Sequence, residues 1–158
     1  MYSVLFVCTA NICRSPMAMG LMKQKVGLDN KNWKIESAGV WTQDGIPVSD
    51  YAAVVLRKRG IEIKDHKSQQ VILELVSAFN LILTMEYRHK EAIRIAFPSL
   101  ASRIYLISEM VNENFEISDP IGLRLQDYDE TASELEQIIE EGFPKIQSLS
   151  DGNSIDND

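Results

Sequence analysis

Residues 2–7 (YSVLFV) form a short β-branched and aromatic run that ends at Cys8, and Pro16 sits where the first turn of a helix accepts a proline. A strand feeding a loop that feeds a helix is the opening of an α/β unit, and the alternation recurs down the chain. Strands are expected at 33–37 (WKIES), 79–85 (FNLILTM) and 103–107 (RIYLI). Helices are expected from Met17 to Val26, over about 50–59 with Gly60 as the stop, over 71–77, over 86–97 before Pro98, and over about 127–141. Alternation of this kind predicts a single-domain α/β three-layer sandwich: a four-stranded parallel sheet with helices on both faces. The domain is expected over 1–148. The remainder, 149–158, is rich in Ser, Asp and Asn and reads as a disordered tail.

Such sheets bind ligands beyond the carboxyl ends of their strands. The loop Cys8-Thr9-Ala10-Asn11-Ile12-Cys13-Arg14-Ser15 lies at that edge, so it is the first place to look for chemistry. Its amides enter a helix N-terminus, which offers unpaired N–H groups and the positive end of the helix dipole to an anion. Arg14 adds a planar fork that holds two phosphate oxygens at once. Cys8 lies in the same positive field, which favours the thiolate, and a thiolate facing phosphorus can form a phosphocysteine. Ser15 can give its hydroxyl to that sulfur. Asn11 tolerates left-handed backbone angles and lets the loop curl.

Composition narrows the alternatives. The 158-residue chain carries a formal charge of −7, which opposes nucleic acid as a partner. It has no apolar run long enough to span a membrane and no basic region ahead of 2–7, so no signal peptide is read there and the cytoplasm is the expected location. Two cysteines, Cys8 and Cys13, are too few for a disulfide scaffold. No cluster of Cys, His and carboxylates suggests a metal, and no cofactor is expected.

The segment VLFVCTANICRSP resembles the signature of the low-molecular-weight protein tyrosine phosphatases, and the resemblance extends over nearly the whole chain, including a late Asp119-Pro120 pair. It implies Cys8 as nucleophile, Arg14 as phosphate binder, the loop 9–15 as phosphate cradle and Asp119 as the acid that protonates the leaving oxygen and later activates water. It further implies that Asn11 is braced by Ser15, Ser37 and His66. The implied substrate is a phosphorylated protein. For Cys13 two readings stand: a partner in a reversible disulfide with Cys8, as family members often have, or a small apolar residue packed under the loop. His89, in a charge-rich helix, reads as a solvated side chain.

The rim carries the substrate preference. Ile12 matches the apolar residue of tyrosine-directed members, where an arginine-directed relative has threonine, so phosphotyrosine is expected and phosphoarginine is the alternative. Ile121 stands where many tyrosine-directed members have an aromatic residue after Asp-Pro. Trp41 is either a replacement wall or the edge of the core. Arsenate reductases of related architecture need further cysteines, and none follows Cys13. A binding module or phosphocarrier that holds phosphate without turnover is a third reading, although it has no use for Asp119.

Overall fold

The structure is a computed structural model that describes residues 1–154. Four parallel strands, β1 (Tyr2–Cys8), β2 (Trp33–Gly39), β3 (Leu81–Thr84) and β4 (Ile104–Leu106), form one sheet in the order β2-β1-β3-β4. The helices are α1 (Arg14–Val26), α2 (Asp50–Arg57), α3 (Leu73–Ser77), α4 (Tyr87–Ala96) and α5 (Leu125–Ser150), with short 3-10 turns at Pro98–Arg103, Ile107–Val111 and Gly152–Ser154. The sheet is the expected one.

β1 is central and buried on both faces, which is why it reads as a continuous apolar run. Its side chains alternate all the same. Val4, Phe6 and Cys8 face a core with Met17, Leu56, Leu135 and Ile139, from α1, α2 and α5. Leu5 and Val7 face a second core with Val76, Phe79 and Ile93, from the side of α3 and α4. Two cores on opposite faces of one sheet make the three layers.

The final helix departs from expectation. Gly142 and Pro144 suggest a stop near 141, yet α5 continues to Ser150. Pro144 lacks an amide and forfeits one helical bond, but burial of Ile146 and a bond from Asn80 Nδ2 to the Ser150 carbonyl at 3.0 Å hold the later turns in place. Asp151 then bridges to Tyr2. Residues 149–154 of the expected tail are therefore folded, and 155–158 lie outside the described residues.

From β1 the chain steps outward to β2, then returns to the other side of β1 for β3. That reversal is a topological switch point, where two neighbouring loops diverge and leave a crevice. The loop after β1 and the start of α4 meet there.

Candidate active site

The crevice is filled by the loop from Cys8 to Ser15. Its carbonyl oxygens are held from outside: Cys8 O by Val40 N at 3.1 Å, Thr9 O by Trp41 N at 3.0 Å, Ile12 O by Ser49 N at 2.9 Å and Cys13 O by Met17 N at 3.1 Å. His66 Nε2 donates to Asn11 O at 2.8 Å. A planar trans peptide points its N–H opposite to its C=O. Carbonyls bonded outward thus turn the amides of Thr9, Ala10, Ile12, Cys13 and Arg14 toward the concave side, where a small cup is lined by Cys8, Thr9, Ala10, Ile12, Cys13, Arg14, Asp119 and Ile121. One glycine makes this closeness possible. A Cβ on Gly39 would lie 2.7 Å from Thr9 O and 3.0 Å from the Ala10 carbonyl carbon.

Asn11 is the keystone of the curl. It is fully buried, with φ of 60°, a left-handed conformation that asparagine accepts. Its Nδ2 donates to Ser15 Oγ at 2.8 Å and Ser37 Oγ at 2.9 Å, and its Oδ1 accepts from Gln69 N at 3.0 Å. Gln69 carries no sequence signal for this role. Burial holds the His66 imidazole below its ordinary pKa, against the opposing pull of the Asn11 carbonyl. Because a carbonyl only accepts, Nε2 of His66 carries the proton.

Cys8 Sγ lies at the floor of the cup, buried, 3.0 Å from Ser15 Oγ. Arg14 is buried as well. Its Nη1 donates to Glu86 Oε2 and to the Ile117 carbonyl, both at 2.7 Å. Its Nη2 reaches Thr9 Oγ1 at 3.3 Å and stands 3.4 Å from Asp119 Oδ2. Its Nε is buried and has no partner among the described residues. Asp119 accepts from Ile121 N at 3.1 Å, a local turn that fixes its carboxylate at the mouth. Burial alone would push the Glu86 carboxyl up, but its bonds from Arg88 and Arg14 outweigh that and hold it below its ordinary value.

Cys13, a free thiol like Cys8, turns to other partners: it donates to Ser49 Oγ at 3.3 Å and lies 3.5 Å from Tyr128 OH. Burial pushes the Cys13 thiol up and the Tyr128 hydroxyl to about 12, so both stay protonated at neutral pH.

His89 corrects the sequence reading. It is fully buried rather than solvated. Its Nδ1 accepts the Glu86 amide at 3.1 Å, so Nε2 bears hydrogen and donates to Thr9 Oγ1 at 2.9 Å. Burial, then the Arg14 charge, bring its pKa down to about 4. Trp41 is 52% exposed, with Arg88 over its ring at 5.3 Å and the buried His89 ring 6.0 Å away, and it is not among the side chains that line the cup. Glu86, Arg88 and His89 come from the far half of the chain, and only the fold brings them to Thr9 and Arg14.

A family model described as low molecular weight phosphotyrosine protein phosphatase matches residues 3–151. The chain belongs to that family. It is accordingly a phosphatase, and a phosphocysteine mechanism fits its two-cysteine loop. It is similar to a probable low molecular weight protein-tyrosine-phosphatase, EpsP, of Ralstonia nicotianae, 33% identical over 93% of this chain and 97% of that one. It is equally similar to a protein-arginine-phosphatase of Geobacillus stearothermophilus, 35% identical with the same coverage. Among solved structures, the low molecular weight protein tyrosine phosphatase from T. tengcongensis superposes with a TM-score of 0.87 at 38% identity, covering 92% of this chain and 99% of that one.

Proposed function

We propose that this phosphatase hydrolyses phosphotyrosine in proteins, with Cys8, Arg14 and Asp119 performing the chemistry. The observation that carries the reading is the Nε of Arg14, a buried donor without a partner among the described residues, on a side chain that lines the same cup as Cys8. An orphaned buried donor costs free energy unless something fills the site, and an oxyanion bound along the Nε–Nη2 edge supplies the missing acceptor.

In the first step the Cys8 thiolate attacks phosphorus, and the P–O bond to the leaving group breaks. Loop amides and Arg14 hold the phosphoryl oxygens as charge spreads over them. Asp119, at the mouth, gives its proton to the departing phenoxide. In the second step Asp119 takes a proton from water as that water attacks the phosphocysteine. Sulfur then leaves as thiolate, accepting a hydrogen bond from Ser15 Oγ, and phosphate is released.

Phosphotyrosine is favoured over phosphoarginine by the apolar rim. Ile12, half-buried, and Ile121, 52% exposed, present carbon to a ring. Likeness to a protein-arginine-phosphatase supports the second reading, because the same cup serves both leaving groups. A cytoplasmic location goes with the mechanism, which needs Cys8 reduced. No helix is long and apolar enough to cross a membrane among the described residues, and the negative charge disfavours nucleic acid.

Turnover of p-nitrophenyl phosphate at mildly acidic pH, with Cys8→Ser as control, tests the reaction class. Tight phosphate binding without turnover would leave the binding-module reading instead. Matched phosphotyrosine and phosphoarginine peptides test the preference.

A further inference from the structure

Arg88 is a long surface side chain, yet it is held from three sides. Its Nη2 donates to Thr9 Oγ1 at 3.0 Å, its Nε to Glu86 Oε1 at 3.2 Å, and its guanidinium lies over the Trp41 ring at 5.3 Å. Thr9 follows the nucleophile and lines the cup. A flexible cation fixed at the mouth of an anion site has a defined electrostatic effect there.

The charges around it do not cancel. Glu86 is shared between Arg14, at 2.7 Å, and Arg88, at 3.2 Å, so two guanidiniums face one carboxylate. His89 beneath them is neutral at working pH, since its pKa lies at about 4. Asp119 must be protonated to act as the acid of the first step and then offers no negative charge. Apart from the phosphoryl group and the Cys8 sulfur at the floor, the side chains around the mouth therefore carry an excess of positive charge when the leaving group departs.

We infer that Arg88 is a specificity-determining residue that discriminates by the charge of the leaving group, rejecting phosphoarginine and admitting phosphotyrosine. The inference rests on the phosphatase reading above and deepens it. A tyrosine leaving group brings a neutral ring to the mouth. A phosphoarginine brings its own guanidinium, a like charge close to Arg88. For exposed charges within a Debye length such repulsion is worth about 3- to 10-fold in relative rate. The apolar rim selects on shape, and Arg88 adds selection on charge.

The test measures kcat/KM on phosphotyrosine and phosphoarginine peptides of identical neutral flanks, with p-nitrophenyl phosphate as reference, for wild type, Arg88→Gln, Arg88→Glu and Arg88→Lys. The phosphotyrosine-to-phosphoarginine ratio is expected to fall about 3- to 10-fold in Arg88→Gln, to fall further in Arg88→Glu, and to persist in Arg88→Lys. In wild type the ratio is expected to shrink as salt rises from about 0.01 M to about 1 M, and this measurement decides the matter if a variant does not fold. A ratio indifferent to both substitution and salt overturns the inference. So does an equal loss on all three substrates, which would make Arg88 only a prop for Thr9 and Glu86. Wild type inactive on every substrate would bring down the phosphatase reading itself, and this inference with it.

Discussion

Asn11 Nδ2 donates to Ser15 Oγ at 2.8 Å, and that bond decides what the Ser15 hydroxyl can do. With Ser15 Oγ accepting from the amide, its one proton is left to donate, to the Ala38 carbonyl at 3.4 Å or to Cys8 Sγ at 3.0 Å, and a sulfur that leaves as thiolate can only accept it. A backbone brace thus becomes an electrostatic one. Substituting Ser15→Ala is expected to slow release of the thiolate from phosphocysteine more than its formation. Rapid-quench kinetics on p-nitrophenyl phosphate would show a burst of nitrophenol followed by a slow steady state. A single slow phase with no burst would remove Ser15 from the second step.

Asn11→Ala removes the side-chain bonds to Ser15, Ser37 and Gln69 and puts a residue without a local hydrogen-bonding group at φ of 60°. Buried bonds of this kind contribute about 1 kcal/mol each, and left-handed strain adds a similar amount. A loss of about 2–4 kcal/mol in stability is expected, with a fall in kcat/KM. Urea unfolding checks the first and steady-state kinetics the second; wild-type stability in the variant would contradict the bracing role.

Gly39→Ala is a test at a distance from the chemistry. Its Cβ would press on Thr9 O at 2.7 Å, backbone rather than a flexible side chain, so the loop itself must shift. Overpacking of this kind costs about 1–3 kcal/mol. Phosphate inhibition is expected to weaken together with kcat/KM. If phosphate binds the variant as tightly as wild type, the cup does not depend on this close approach.

Asp119→Ala is expected to depend on the leaving group. Nitrophenoxide departs readily without a proton, whereas tyrosine phenoxide needs one, so the fall in rate is expected to be about 10- to 100-fold larger on a phosphotyrosine peptide than on p-nitrophenyl phosphate. Equal losses on both would assign Asp119 to binding alone.

The buried imidazole of His89 links stability to pH. Its folded pKa, about 4, lies below the ordinary 6.5, so between those values the unfolded chain binds more protons than the native one. Stability is therefore fully present above about 6.5 and is lost as pH falls toward 4, with a contribution on the order of 2–3 kcal/mol. His66, also held low by burial, acts with the same sign. Comparing wild type with His89→Gln isolates His89: urea midpoints at pH 7, 5 and 4 should fall more steeply in wild type. Parallel slopes would show that His89 does not carry this dependence.

Much of the fold was legible because its signals are local. Strand and helix alternate visibly, and the sheet they imply is the one observed. The ends of elements were less so: α5 runs past Pro144 because packing of Ile146 and the Asn80–Ser150 bond outweigh one lost helical bond, and neither can be seen in the run of residues around Pro144.

What the amino-acid sequence determined by itself is the contiguous cup: a strand, a Cys-to-Arg loop and a helix start, whose geometry follows from short-range backbone constraints. What only the tertiary structure decided is the shell around it. Glu86 bonds Arg14 across 72 positions, and His89 bonds Thr9 across 80. A charged helix face looks the same in sequence whether it meets water or a crevice. Which of the two it meets depends on where the sheet reverses its strand order, and that is a property of the assembled chain.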